Sequence, residues 1–94
     1  MKIQWKALYN DSKVPKKSHA GDAGFDLHSS EDYVLKSGES ALIGTGIAVA
    51  TPQGHEFQIR PRSGLAYKHG VTVLNSPGTI DDSFRGEWKV LCLD

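Results

Sequence analysis

No disulfide can form within this chain, because its 94 residues contain one cysteine, Cys92. In its setting, WKVLCL, that cysteine reads as a buried strand position, and a reduced thiol in the cytoplasm is the ordinary expectation for it. Charge of one sign is also lacking: 11 Lys and Arg balance 11 Asp and Glu. Neither a polymeric nucleic acid nor an acidic membrane is therefore indicated as a partner. No apolar run is long enough to span a bilayer, and MKIQWKALYN lacks the apolar centre of a signal peptide. Without such a signal, the glycosylation triplet Asn10-Asp11-Ser12 reads as chance. The four histidines, His19, His28, His55 and His69, are too scattered for a zinc-ligand spacing. A phosphate loop of the GxxxxGKS/T type, a complete GxGxxG and an HExxH are all missing, as are repeats and low-complexity tracts.

What remains is 38% hydrophobic and 23% charged. That composition suits one small soluble domain over residues 1–94, near the lower size limit for burying a core unaided. A domain this small gains stability by associating with copies of itself. Period-2 patterns dominate. Ile3, Trp5 and Ala7 alternate with Gln4 and Lys6, and Phe57 and Ile59 alternate with Glu56, Gln58 and Arg60. Strands are also expected in DYVLK, ALIGTGIAVA, VTVL and WKVLCL, separated by turns at Ser37-Gly38, Pro52-Gln53-Gly54, Ser76-Pro77-Gly78 and Arg85-Gly86. Only SGLAYKH, Ser63 to His69, reads as helix, with Ser63 as N-cap and Gly70 as stop. Many short strands and almost no helix predict an all-β sandwich or barrel. Its core is expected to draw on Trp5, Phe25, Leu27, Leu42, Ile47, Val49, Phe57, Ile59, Val71, Val73, Val90 and Leu91. Because Leu93-Asp94 follow directly on an apolar strand, an unpaired edge is expected there.

Three stretches carry candidate chemistry, and each has a plainer reading beside it. In AGDAGFDL, Ala20 to Leu27, Gly21 and Gly24 permit close backbone approach, and Asp26 faces away from Phe25 and Leu27; the plain reading is a surface turn with a solvated acid. In RPRSGLA, Arg60 to Ala66, two guanidinium groups and a hydroxyl stand where a helix begins, which suits a phosphate; the plain reading is an ordinary cap with surface ion pairs. In NSPGTIDDSFRGEW, Asn75 to Trp88, Gly78 lets backbone approach a flat ligand, which main-chain groups would read as one more strand. Asp81 would project toward a water and Phe84 toward a sugar. The plain reading is a charged hairpin held by Asp–Arg pairs.

In this order the three stretches resemble the motifs of the trimeric deoxyuridine triphosphatases (dUTP diphosphatases, dUTPases). AGDAGFDL resembles the first motif, RPRSGLA the second, and GVTVLNSPGTIDDSFRGE the third with its uracil-binding hairpin. The likeness runs over nearly the whole chain. It implies a jelly-roll-like β fold in a homotrimer, hydrolysing dUTP to dUMP and pyrophosphate with Mg²⁺. Asp81 would activate the attacking water, and Asp26 would touch the metal through water. Arg62, Ser63 and Gly64 would hold phosphates from one subunit. Asn75, Gly78, Thr79, Ile80 and Phe84 would surround uracil and deoxyribose on a neighbour.

Three departures stand out. Phe84 replaces a frequent tyrosine, and Ser83 replaces a second acid. Relatives in this family usually continue into a fourth motif and a glycine-rich arm that closes over the triphosphate, and the 94 residues contain neither. As a C-terminally truncated form, the chain is expected to bind nucleotide weakly and to trimerise poorly. Two other readings stay open: a non-catalytic nucleotide-binding remnant, and a dCTP deaminase of the same architecture.

Overall fold

The computed structural model describes residues 2–94. Its elements are β1 (Gln4–Ala7), β2 (Ser40–Gly44), β3 (Ile47–Ala50), β4 (Phe57–Ile59), α1 (Ser63–His69), β5 (Thr72–Val73), β6 (Gly78–Ile80) and β7 (Lys89–Leu93). Among the described residues the strand pairings are antiparallel and fall into three small sheets: β1–β3, β2–β7–β5 and β4–β6. The all-β expectation with one short helix holds.

The run ALIGTGIAVA forms two strands rather than one. It breaks at Thr45-Gly46, where Gly46 takes φ 73°. The two halves pair elsewhere, β2 with β7 and β3 with β1, so the break is a corner at which the chain leaves one sheet for another. Trp88 locks this corner. Its carbonyl accepts from the Thr45 amide at 3.0 Å and the Thr45 hydroxyl at 2.7 Å, and its own amide donates to the Ile47 carbonyl at 2.9 Å.

The buried cluster is Ile47, Val49 and Trp88, with Leu27, Phe57 and Ile80 packed against it. The Phe57 and Trp88 rings lie 5.0 Å apart and tilted by 60°. Such an edge-on pair adds about 0.5–1.5 kcal/mol beyond the area it buries. Ile59 and Val73 are buried as expected.

Several core expectations need correction. Trp5 is 43% exposed and Leu42 60%, because their side chains lie outside the cluster around Ile47, Val49 and Trp88. Phe25 is also 60% exposed, and its ring lies under the Lys17 ammonium, 5.3 Å from the centroid. DYVLK forms no strand; Tyr33 and Val34 face solvent. Nor is the last strand an edge, since β7 is bonded on both sides. The total accessible surface is 6780 Å², against about 5,300 Å² for a compact monomer of this mass. Exposed large apolar side chains, among them Val34, Phe25, Leu42 and Tyr67, contribute to that excess.

Helix α1 begins one residue earlier than the Ser63 cap expected from the sequence. Arg62 is extended (φ −82°, ψ 128°), and its carbonyl accepts the Ala66 amide at 3.0 Å, making Arg62 the N-cap with no side-chain bond. An arginine has no acceptor to offer the free amides of the first turn. At the other end Gly70 (φ 69°) closes the helix, its amide bonding to Ala66 at 3.1 Å. Open space surrounds the position a Cβ would take there. Gly70→Ala is therefore expected to cost only the left-handed backbone penalty, about 1–2 kcal/mol, read as a lower denaturation midpoint with unchanged slope.

Candidate functional site

Strands β5 and β6 are consecutive but belong to different sheets, β5 with β7 and β6 with β4. Where they part, a cleft of about 180 Å³ opens. Four of the residues proposed for the base, Asn75, Gly78, Thr79 and Ile80, line it together. Gly78 is buried, and a Cβ on it would come within 3.3 Å of the Asn75 amide nitrogen. The floor is Ile59 and Val73, and the far wall is Lys89, Val90 and Leu91 of β7. Sequence patterning marked Val73 and Leu91 only as core. No motif touched Lys89, which reaches the cleft through the β7 register alone. A cleft of this size is smaller than the about 300 Å³ of drug-sized sites, so it suits one small flat group rather than a whole nucleotide.

Asp81 follows β6 directly. It is exposed, and among the described residues its carboxylate has no hydrogen bond or ion pair; only its carbonyl is engaged, by the Phe84 amide at 3.1 Å. The alternative of a hairpin held by Asp–Arg pairs is not what forms. Asp82 instead accepts the Gly54 amide at 2.7 Å, and Arg85 donates to main-chain carbonyls. The Phe84 ring lies against Gly86, where a Cβ would stand 3.0 Å from its tip, rather than lining the cleft.

A second corner gathers the first two motifs. The Asp26 amide bonds to the Lys16 carbonyl at 2.7 Å, which fixes the acid on a short bridge. One carboxylate oxygen accepts the Ser18 hydroxyl at 2.5 Å, and the other lies 3.9 Å from the Arg62 Nε. Ser18 carried no signal in the sequence, because it lies eight residues from its partner and outside every motif. Ser63 and Gly64 are exposed at the start of α1. Within one chain, these residues do not line the cleft.

A larger and shallower groove of about 280 Å³ runs along β1 and β3, lined by Gln4, Trp5, Lys6, Ala48, Val49, Ala50 and Arg85. Arg85 is its one residue from the three motif stretches, whereas four motif residues line the smaller cleft and Asp81 follows directly on them, so the smaller cleft is the better site. Burial pushes the Cys92 thiol up, the opposite of an activated nucleophile.

The dUTPase family profile matches residues 10–93. The chain is 55% identical over 94 residues to the deoxyuridine 5'-triphosphate nucleotidohydrolase of Nautilia profundicola, covering 100% of this chain and 66% of that protein. It is 53% identical over 92 residues to the enzyme of the same name from Clostridium acetobutylicum, covering 98% and 63%. It therefore spans less than two thirds of these curated relatives. Among solved structures it matches a mutant dUTPase from phage phi11 of S. aureus, described as coordinating a structural Mg(II) ion. The TM-score is 0.87 at 30% identity, over 99% of this chain and 60% of that one. It also matches the dUTPase of Staphylococcus bacteriophage 80alpha with dUPNHPP, at TM-score 0.85 and 32% identity, over 97% and 53%. With the profile running through all three motif stretches and the strands superposing on solved dUTPases, this chain belongs to the dUTPase family.

Proposed function

We propose that this protein hydrolyses dUTP to dUMP and pyrophosphate. The observation that carries this reading is the juxtaposition on one loop of a base-sized cleft and, one residue beyond its lining, an acid with no partner of its own among the described residues. Thr79 and Ile80 line the cleft from a strand bonded on one side only, which leaves main-chain groups for the edge of a pyrimidine. A base with the wrong donor and acceptor pattern would leave those groups unpaired, and that is the source of discrimination. Asp81 orients a water against the α-phosphorus and takes its proton. The new P–O bond forms as the bond to the bridging oxygen breaks, and pyrophosphate leaves without a covalent enzyme intermediate.

Among the described residues no three acid, histidine or cysteine side chains gather into a metal cage. Asp26, with Ser18 on one oxygen, is a lone carboxylate at its corner. This donor set fits Mg²⁺ carried by the phosphates and touched through water, rather than an ion held by protein alone. Bound there, Mg²⁺ would neutralise charge on the departing pyrophosphate. Arg62, Ser63 and Gly64 act on the phosphates from a neighbouring copy. The uncovered apolar surface, Trp5 and Leu42 included, supports assembly into a homotrimer.

The test is pyrophosphate release from dUTP with Mg²⁺, run beside dCTP, dTTP and UTP. Release from dUTP alone is expected. Binding of dUMP with no turnover would favour a nucleotide-binding remnant, and ammonia from dCTP would favour a deaminase.

A further inference from the structure

We propose that Asp82 and Arg85 are positioning residues that clamp the Asp81 turn onto the Thr51–Gly54 turn and so aim the Asp81 carboxylate; this role rests on the hydrolytic reading above. Between Ile80 and Glu87, among the described residues, a single main-chain bond holds the turn to itself, Phe84 amide to Asp81 carbonyl at 3.1 Å. Among the described residues, the side-chain hydrogen bonds that tie it down come from two side chains of opposite charge. The Asp82 Oδ2 accepts the Gly54 amide at 2.7 Å. The Arg85 guanidinium donates to the carbonyls of Asp82 and Phe84 within the turn and, at 3.4 Å, to the carbonyl of Thr51 outside it. Thr51 is 2% exposed, so the anchor belongs to the body of the fold. The carboxylate thus takes an N–H and the guanidinium takes C=O groups. The bonds leave from two separate nitrogens of one rigid plane, so the guanidinium spans the turn and the Thr51 anchor together.

The cleft does not depend on this clamp. Its wall on β6 is held by pairing to β4, Gly78 to Ile59 and Ile80 to Phe57. Loosening the clamp leaves the base seated and lets only the acid wander. That separates kcat from KM. In the protein assayed with dUTP and Mg²⁺, Asp82→Ala and Arg85→Ala are expected to lose about 10- to 100-fold in kcat, with KM moving less than about threefold. Asp82→Asn regains most of the loss, since its amide oxygen still accepts from Gly54, whereas Arg85→Lys, whose donors all sit on one nitrogen, cannot span both the turn and Thr51 and regains little. Should Arg85→Ala fail to fold, the Asp82 pair decides. Unchanged kcat in Asp82→Ala, a loss carried by KM, or Asp82→Asn as poor as Asp82→Ala would each overturn the clamp. A parent protein that turns over dUTP while its variants behave alike sinks the clamp alone; a parent without turnover sinks the hydrolytic reading, and the clamp with it.

Discussion

Asp81→Asn is expected to lower dUTP turnover by about 10²- to 10⁴-fold, the usual contribution of a positioned general base. The substitution keeps size and polarity and removes the proton acceptor. Nothing in the fold should yield to it, because the Asp81 carboxylate supports no hydrogen bond or ion pair among the described residues; its turn bond uses the carbonyl. Nor does Asp81 line the cleft, so dUMP affinity measured by calorimetry should stay within a few-fold of the parent, about 1 kcal/mol or less. Turnover falling while dUMP still binds is the pattern of an interaction made only on the way to the transition state. A variant that releases pyrophosphate at the parent's rate would show that another group accepts the proton.

The largest expected effect on stability is at Gly46. Its φ of 73° is a region L side chains rarely adopt, and a Cβ there would stand 2.4 Å from the Ser12 hydroxyl oxygen and 3.1 Å from the Tyr9 ring. That hydroxyl is engaged: it donates to the Gly46 carbonyl at 2.7 Å and accepts the Tyr9 amide at 3.2 Å. The Gly46 amide in turn donates to Glu87 Oε2 at 3.1 Å, and the Tyr9 hydroxyl reaches Glu87 Oε1 at 3.3 Å. The Glu87 charge is also the main reason the Tyr9 phenol is pushed above its ordinary pKa. Gly46→Ala therefore combines backbone strain of about 1–2 kcal/mol with displacement of Ser12 from bonds worth about 1 kcal/mol each. A drop in Tm of more than about 10 °C is expected for a chain of this size. Adding Ser12→Ala should recover the collision and not the strain, so the double variant should melt between Gly46→Ala and the parent. A Gly46→Ala protein melting with the parent would mean that the corner can relax freely.

Local elements were largely legible. SGLAYKH forms the helix over the expected residues, and its glycine stop is in place. VTVL and WKVLCL each contain a strand, and the two pair antiparallel with β6 intervening in the chain. β6 was not legible, because three residues beside Ser76-Pro77 offer no alternation to read. Trp88 reads only as the first residue of the strand WKVLCL; it precedes β7 and belongs to the buried core cluster, which its pairing pattern does not reveal. Trp5 shows the converse. Its alternation looks as good as that of Phe57 and Ile59, but among the described residues β1 pairs with β3 alone and Trp5 stays 43% exposed.

The sequence by itself determined the chemistry on offer: a hairpin with a turn glycine and two acids, an Arg-Ser-Gly at a helix start, and an acid between two apolar neighbours, in an order that marks one family. Tertiary structure alone decided which of these act together. It opened the cleft where two sheets part and brought Lys89 and Val90 into it. It also gave the adjacent acids different tasks, holding Asp82 on Gly54 and leaving the Asp81 carboxylate without a partner among the described residues. The reason is the range of the forces. Torsional preference and alternation act over a few residues, and say which side chains share a face. Which face is covered, and which carboxylate meets an amide 28 residues away, is set by strand pairing between distant segments.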